Sequence, residues 1–166
     1  WAFQNTSLTA INITAGVTKI GRKAFYGVET LKTITFADNG SLTTIDGSAF
    51  EGSGLTAIDF PATITTIGDS AFNNCVDLET VTFKGSLIST INTSAFANTA
   101  IKSITLPESV TVIKDAAFQN CTALAEVNLP SRLTTIGTIS TSASTADKSN
   151  VFNGCTSLTS ITLPES

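Results

Sequence analysis

Histidine is absent from all 166 residues. The commonest general base near neutral pH and the commonest metal ligand are missing with it. Neither a Ser–His nor a Cys–His nucleophile pair can be built. The three cysteines cannot by themselves surround zinc, which takes about four ligands. Charged residues are only 13% of the chain, and nine Lys and Arg against thirteen Asp and Glu leave a net charge of −4. That is too little positive charge to neutralise a nucleic-acid backbone, so nucleic acid is not an expected partner. No uninterrupted apolar run is long enough for a membrane-spanning helix, because apolar positions alternate with Thr, Ser or charge throughout. There is no Gly-rich phosphate loop and no recurring carboxylate pair. Catalytic residues, a cofactor and a metal site are therefore not expected.

What the chain does have is a period. A phenylalanine returns as Phe3, Phe25, Phe50, Phe72, Phe96, Phe118 and Phe152, each preceded by Ala or, once, by Val151. Leu8, Leu31, Leu55, Leu78, Ile101, Leu124 and Leu158 mark the start of each unit, at separations of 23, 24, 23, 23, 23 and 34 residues. A repeat of this length indicates a solenoid, in which each unit buries its apolar face against the units on either side. The expected organisation is one domain over residues 1–166, of about seven units of roughly 23 residues. Both ends fall within a unit: Ala2-Phe3-Gln4-Asn5 matches Ala117-Phe118-Gln119-Asn120, and 161–166 repeats 104–109. The expectation is a segment of a longer array, whose uncapped ends would favour end-to-end self-association.

The unit Leu55 to Asp77 shows how the repeat should fold. Ile58 and Phe60 alternate with Asp59, which is strand periodicity, and Pro61 ends the ladder by removing a donor. Ile64 and Ile67 suggest a second extended piece. Gly68 is read as the residue that permits the next turn. Asp69 to Cys75 reads as one or two turns of helix capped by Asp69 or Ser70. Stacking such units gives a parallel sheet in which seven strands span roughly 30 Å. All ten phenylalanines are assigned to the core, including Phe36, Phe60 and Phe83 at the end of the strand. Lys114 and Asn92 replace the glycine after Ile, which places the local turn there in question. Eleven extra residues enter within 138–150, rich in Ser, Thr and Ala, and are expected to form a mobile loop.

Cys75, Cys121 and Cys155 occupy one unit position, where the N-terminal unit has Val28. They are expected to be free, buried and apolar in character, although a Cys121–Cys155 disulfide between neighbouring units is conceivable. Lys19, Arg22, Lys23 and Lys32 cluster near the N-terminus and are read as a solvated edge in preference to an anion site. The outward row of the sheet should be Asn12, Thr35, Asp59, Thr82, Thr105, Asn128 and Thr162, flanked by Ala10, Thr33, Ala57, Thr80, Ser103, Glu126 and Ser160. From these rows Thr35, Asp59, Thr82, Thr105, Asn128 and Glu126 are the candidate binding residues. None is a large aromatic or Arg, so weak contacts summed over a long array are expected. A soluble face without a ligand is an equal alternative on the residues alone.

The motif Leu55-x-x-Ile58-x-Phe60-Pro61 through Ile67-Gly68-x-x-Ala71-Phe72-x-x-Cys75 recurs at Ile101 to Cys121. It resembles the BspA-like, or bacterial surface-antigen type, leucine-rich repeats. The resemblance implies an α/β, right-handed leucine-rich-repeat solenoid. A parallel sheet would form one face, with short helices, 3-10 turns and loops on the other. It further implies an extracellular or cell-surface, non-enzymatic protein-interaction or adhesion module, with a host matrix or cell-surface protein as partner. A structural spacer, or recognition of glycan or another ordered hydroxylated ligand by the threonine rows, are the alternatives.

Overall fold

The structure is a computed structural model that describes residues 2–137 and 150–164. Each turn of the coil carries a longer and a shorter strand. In chain order these are β1 (Ala10–Ile13) and β2 (Lys19–Ile20), β3 (Thr33–Phe36) and β4 (Thr44–Ile45), β5 (Ala57–Phe60) and β6 (Thr66–Ile67). They continue as β7 (Thr80–Phe83) and β8 (Thr90–Ile91), β9 (Ser103–Thr105) and β10 (Val112–Ile113), β11 (Glu126–Asn128) and β12 (Thr135–Ile136). All pairings are parallel and in repeat register, for example Ala57 with Thr80 and Asp59 with Thr82. The short strands form two three-stranded ladders, β2-β4-β6 and β8-β10-β12. The long strands pair only two by two, as β1-β3, β5-β7 and β9-β11. Expected as a seventh long strand, 158–164 is not a strand; it follows the 34-residue unit and lies across a cleft from β11.

The alternation seen in sequence decides which side is buried. Ile34, Ile58, Val81, Ile104 and Val127 point inward, while the residues on either side of each are exposed. The core is one continuous cluster reaching from Ile13 to Cys155. Its spine is the column Phe3, Phe25, Phe50, Phe72, Phe96, Phe118 and Phe152. Successive rings are stacked with centroids 4.8 to 5.7 Å apart and planes within 9° of parallel. Phe60 abuts this column edge-on, against Phe72 at 5.6 Å, and stacks on Phe83 at 5.1 Å. Such aromatic contacts add roughly 0.5–1.5 kcal/mol beyond area burial. Phe3 departs from the all-core assignment at 37% exposure, because no described turn covers its outer face.

The helix expected over Asp69 to Cys75 does not form, and no helix exists among the described residues. The backbone N–H groups explain why. Ala71, Asn73 and Cys75 donate within the turn, to Gly68, Ser70 and Phe72. The residues between them, Ser70, Phe72 and Asn74, donate to Thr93, Ala95 and Ala97 of the next turn. This alternation requires left-handed backbone at Ser70 (φ 55°) and Asn74 (φ 59°), which a right-handed helix cannot contain. Asp69 does not cap its own segment; its Oδ1 accepts the N–H of Thr93 in the neighbouring turn at 3.2 Å. The described part is accordingly a parallel-strand β-solenoid of six two-stranded turns, and the α component of the expected α/β class is absent from it.

Gly68 also has a different role from the one anticipated. Its φ is not positive; instead a Cβ there would collide with the backbone of Gly47 in the preceding turn. Lys114 preserves the turn, donating its N–H to Ile91 at 2.9 Å as Gly68 donates to Ile45 at 2.8 Å. Apart from Asn150, the insertion expected at 138–150 lies outside the described residues.

Candidate interaction face

The long strands hold their odd unit positions outward, and Thr35, Asp59, Thr82, Thr105, Glu126 and Asn128 are all exposed on that face. They are not independent of one another. Thr35 Oγ1 donates to Asn12 Oδ1 at 3.1 Å, Thr82 Oγ1 to Asp59 Oδ1 at 2.7 Å, and Asn128 Nδ2 to Thr105 Oγ1 at 3.1 Å. Asn128 Nδ2 also donates to Glu126 Oε1 at 3.0 Å. Each two-stranded ladder thus carries one cross-strand polar pair in its outward row, the arrangement that stabilises adjacent strands. These bonds hold the side chains in fixed orientations and leave part of each group's hydrogen-bonding capacity free.

Lysines frame the row. Lys84 Nζ lies 3.0 Å from Asp59 Oδ2, and Lys102 Nζ 2.5 Å from Glu79 Oε2. Burial pushes the Asp59 carboxyl up, but hydrogen bonds from Thr82 and Lys84 outweigh it and hold the group below its ordinary range. Asp59 raises the pKa of the Lys84 ammonium in return. The Glu79–Lys102 pair was legible in the sequence, since both stand at the second unit position of successive turns. The Asp59–Lys84 pair was not, because it crosses unit positions. In the N-terminal basic cluster, Lys19 pairs with Asp46 at 2.8 Å, Lys32 with Asp77 at 2.7 Å, and Lys23 lies over the Tyr26 ring. Partnered in this way, these residues do not make a free anion-binding patch.

The cysteines lie on the opposite side of the core. Their thiols donate to a phenylalanine carbonyl of the preceding turn: Cys75 to Phe50 at 3.0 Å, Cys121 to Phe96 at 3.1 Å and Cys155 to Phe118 at 3.1 Å. Ser53 and Thr99 take the same position in other turns. The site is therefore a buried hydrogen-bonding position rather than the purely apolar one inferred from Val28. Burial pushes the Cys75 thiol up to about 11, which makes it a poor nucleophile at neutral pH. All three are free thiols. No group of three or more His, Cys, Asp or Glu converges as a metal site among the described residues.

A stack of incomplete turns with an exposed, hydrogen-bonded sheet face defines a leucine-rich-repeat solenoid. The profile of the BspA type leucine rich repeat region matches in six copies, over residues 1–123, 43–144 and 89–166. The chain belongs to that family. Among solved structures, it is similar to the T. pallidum leucine rich repeat protein, with 27% identity, a TM-score of 0.68 and coverage of 90% of this chain and 64% of that one. It is also similar to the pneumococcal vaccine antigen PcpA, with 30% identity, a TM-score of 0.65 and coverage of 79% and 31%. A leucine-rich repeat protein from Eubacterium ventriosum matches in fold, with a TM-score of 0.75 over 96% of this chain and 40% of that one, at 24% identity. The chain thus spans between 31% and 64% of the length of these relatives. No curated protein matches it. No helix among the described residues is long and apolar enough to cross a membrane.

Proposed function

We propose that this chain is a non-enzymatic protein-interaction module of an extracellular or cell-surface protein, acting in adhesion through the face formed by β1, β3, β5, β7, β9 and β11. The observation that carries this reading is the exposed row Thr35, Asp59, Thr82, Thr105 and Asn128, with Glu126 beside it, preset by cross-strand hydrogen bonds. Side chains that are already oriented lose less entropy on docking than free ones. The family and the likeness to a pneumococcal vaccine antigen support a surface setting. A host matrix or cell-surface protein is the proposed partner. The test is adhesion of the chain to immobilised extracellular-matrix proteins and to cultured cells. Binding that falls when Thr82 and Thr105 are each replaced by Arg, with melting unchanged, supports the reading. Binding indifferent to both substitutions refutes it.

A further inference from the structure

The seam between β7 and β9 differs from the paired strands beside it. The two strands are neighbours without a hydrogen-bonded ladder, and the seam opens as a cleft of about 590 Å³. Thr80 and Thr82 line one wall and Ser103 and Thr105 the other, with Phe83 and Leu106 also contributing. The two charges at its edge, Glu79 and Lys102, neutralise each other in an ion pair. An ionic ligand therefore meets no unmatched counter-charge from that pair, whereas a neutral polar one meets five hydroxyl groups, those of Thr80, Thr82, Ser86, Ser103 and Thr105.

The polarity of those hydroxyls is set by their neighbours. Thr82 spends its proton on the Asp59 carboxylate, which can only accept, so Thr82 Oγ1 retains lone pairs for an incoming donor. On the other wall Thr105 Oγ1 accepts from Asn128 Nδ2. Glu126 fixes that amide's orientation, because a carboxylate must be facing the NH₂ end. The Thr105 proton has no acceptor among the described residues and is available to a ligand. One wall thus offers an acceptor and the other a donor, at the same unit position of successive turns. A hydroxyl group satisfies both from a single oxygen.

The hydroxyl and amide part of the arrangement recurs, without the ion pair. A second cleft of about 580 Å³ lies between β11 and the following segment, lined by Glu108, Glu126, Asn128, Ser160 and Thr162 among others, with no Lys or Arg in its lining. It stands two turns further along, roughly 10 Å away at parallel-strand spacing. There Asn128 commits its NH₂ group to Thr105 and Glu126 and keeps its Oδ1 as an acceptor, opposite the Thr162 hydroxyl. We propose that the β7–β9 seam is a binding subsite for a neutral saccharide, one of whose hydroxyls bridges Thr82 and Thr105, and that the cleft beyond β11 is an equivalent subsite for the same sugar chain. The subsite shares Thr82 and Thr105 with the face proposed for a protein partner, but it is argued from the open seam and its hydroxyls and does not rest on that reading.

The test is a titration of the ¹⁵N-labelled chain, followed by NMR, with cellohexaose, maltohexaose and mannohexaose, and with a heparin hexasaccharide as the acidic arm. At least one neutral oligosaccharide should shift the amides of Thr82, Ser103 and Thr105 at millimolar concentration, while heparin leaves them unmoved. Thr105→Val keeps the side-chain shape but removes the hydroxyl, and should weaken binding about fivefold. Thr33→Val, on β3 outside both clefts, should not. Ser103→Ala provides the same comparison if Thr105→Val fails to fold. No shift with any neutral sugar, shifts confined to other faces, a response to heparin alone, or undiminished affinity in a folded Thr105→Val or Ser103→Ala variant would each overturn the proposal.

Discussion

At the scale of single residues, the phenylalanine column gives the largest single effect. Phe96 is fully buried and stacks on Phe72 at 5.5 Å and Phe118 at 5.7 Å. Phe96→Ala should cost about 3–5 kcal/mol in urea denaturation, since it leaves a cavity as well as losing burial. Asn98 tests a different force. Its backbone is left-handed (φ 57°), and its side chain bridges Asn73 and Asn120 in a ladder over three turns. Asn98→Ala should destabilise by about 1–3 kcal/mol, whereas Asn98→Gly loses the ladder but keeps the backbone and should lie between the two. Cys75 supplies a pH dependence. Its folded pKa is raised, so above its ordinary value of 9.0 the unfolded chain loses this proton first. The Cys75 contribution to stability is therefore intact below pH 9 and declines as pH rises from 9.0 to about 11; thermal melts of Cys75→Ser should show a shallower decline. The phenylalanines were legible because one residue type recurs at one spacing. A second regularity was equally available: Asn5, Gly27, Gly52, Asn74, Asn98, Asn120 and Gly154 all lie two residues after a Phe, and all are left-handed. These are the two residue types that adopt that conformation most readily, and their recurrence argues for turns over helix. The left-handed position two residues before the Phe, held by Lys23, Ser48, Ser70, Ser94 and Ala116, carries no such signal.

At the scale of elements, the strands were readable and the third face was not. Alternation of Ile58 and Phe60 with Asp59 fixes the inward side of β5 because a strand has only two faces. Over Asp69 to Cys75, by contrast, the i, i+3 spacing of Phe72 and Cys75 suits a helix and a pair of successive turns equally. What decides between them is an inter-turn hydrogen bond from Phe72 N–H to Ala95, a partner 23 residues away in the chain. The pairing of strands into twos was likewise hidden, although the outward row of Asn12 with Thr35, Asp59 with Thr82 and Thr105 with Asn128 carries a trace of it. Asp59 makes that pairing measurable. Its folded pKa lies below the ordinary 3.8, so its contribution is present above that value and lost as pH falls through the folded one. Asp59→Asn should flatten the acid limb of the stability curve below pH 3.8, while Thr82→Val should raise the Asp59 pKa in an NMR titration of the carboxyl carbon. An unchanged pKa in Thr82→Val would mean that the hydrogen bond across β5 and β7 is not what holds the carboxylate.

At the scale of the whole molecule, the repeat makes length itself a variable. Each turn contacts only its neighbours, so removing one whole unit deletes one interface and joins two that already match. Excising 78–100 takes out β7 and β8 and connects Asp77 to Ile101, a residue that occupies the same unit position as Leu78. The Phe column then passes from Phe72 to Phe118, and Asp59 comes to face Thr105 in place of Thr82. The shortened chain should still unfold in one cooperative transition, at a lower midpoint, because stability in such arrays sums over units and interfaces. Its binding separates recognition by the sheet face from a spacer role. If the outward row recognises a partner by many weak contacts, affinity should fall with the loss of Thr80 and Thr82, and the fall should exceed that of either point substitution. If the chain is a spacer, affinity for any partner carried elsewhere should be unchanged and only reach should shrink, by one strand spacing of about 4.8 Å. Surface plasmon resonance on the same immobilised matrix protein, with the intact and shortened chains compared at equal density, distinguishes these outcomes. Equal affinity of the two chains would count against recognition by the sheet face.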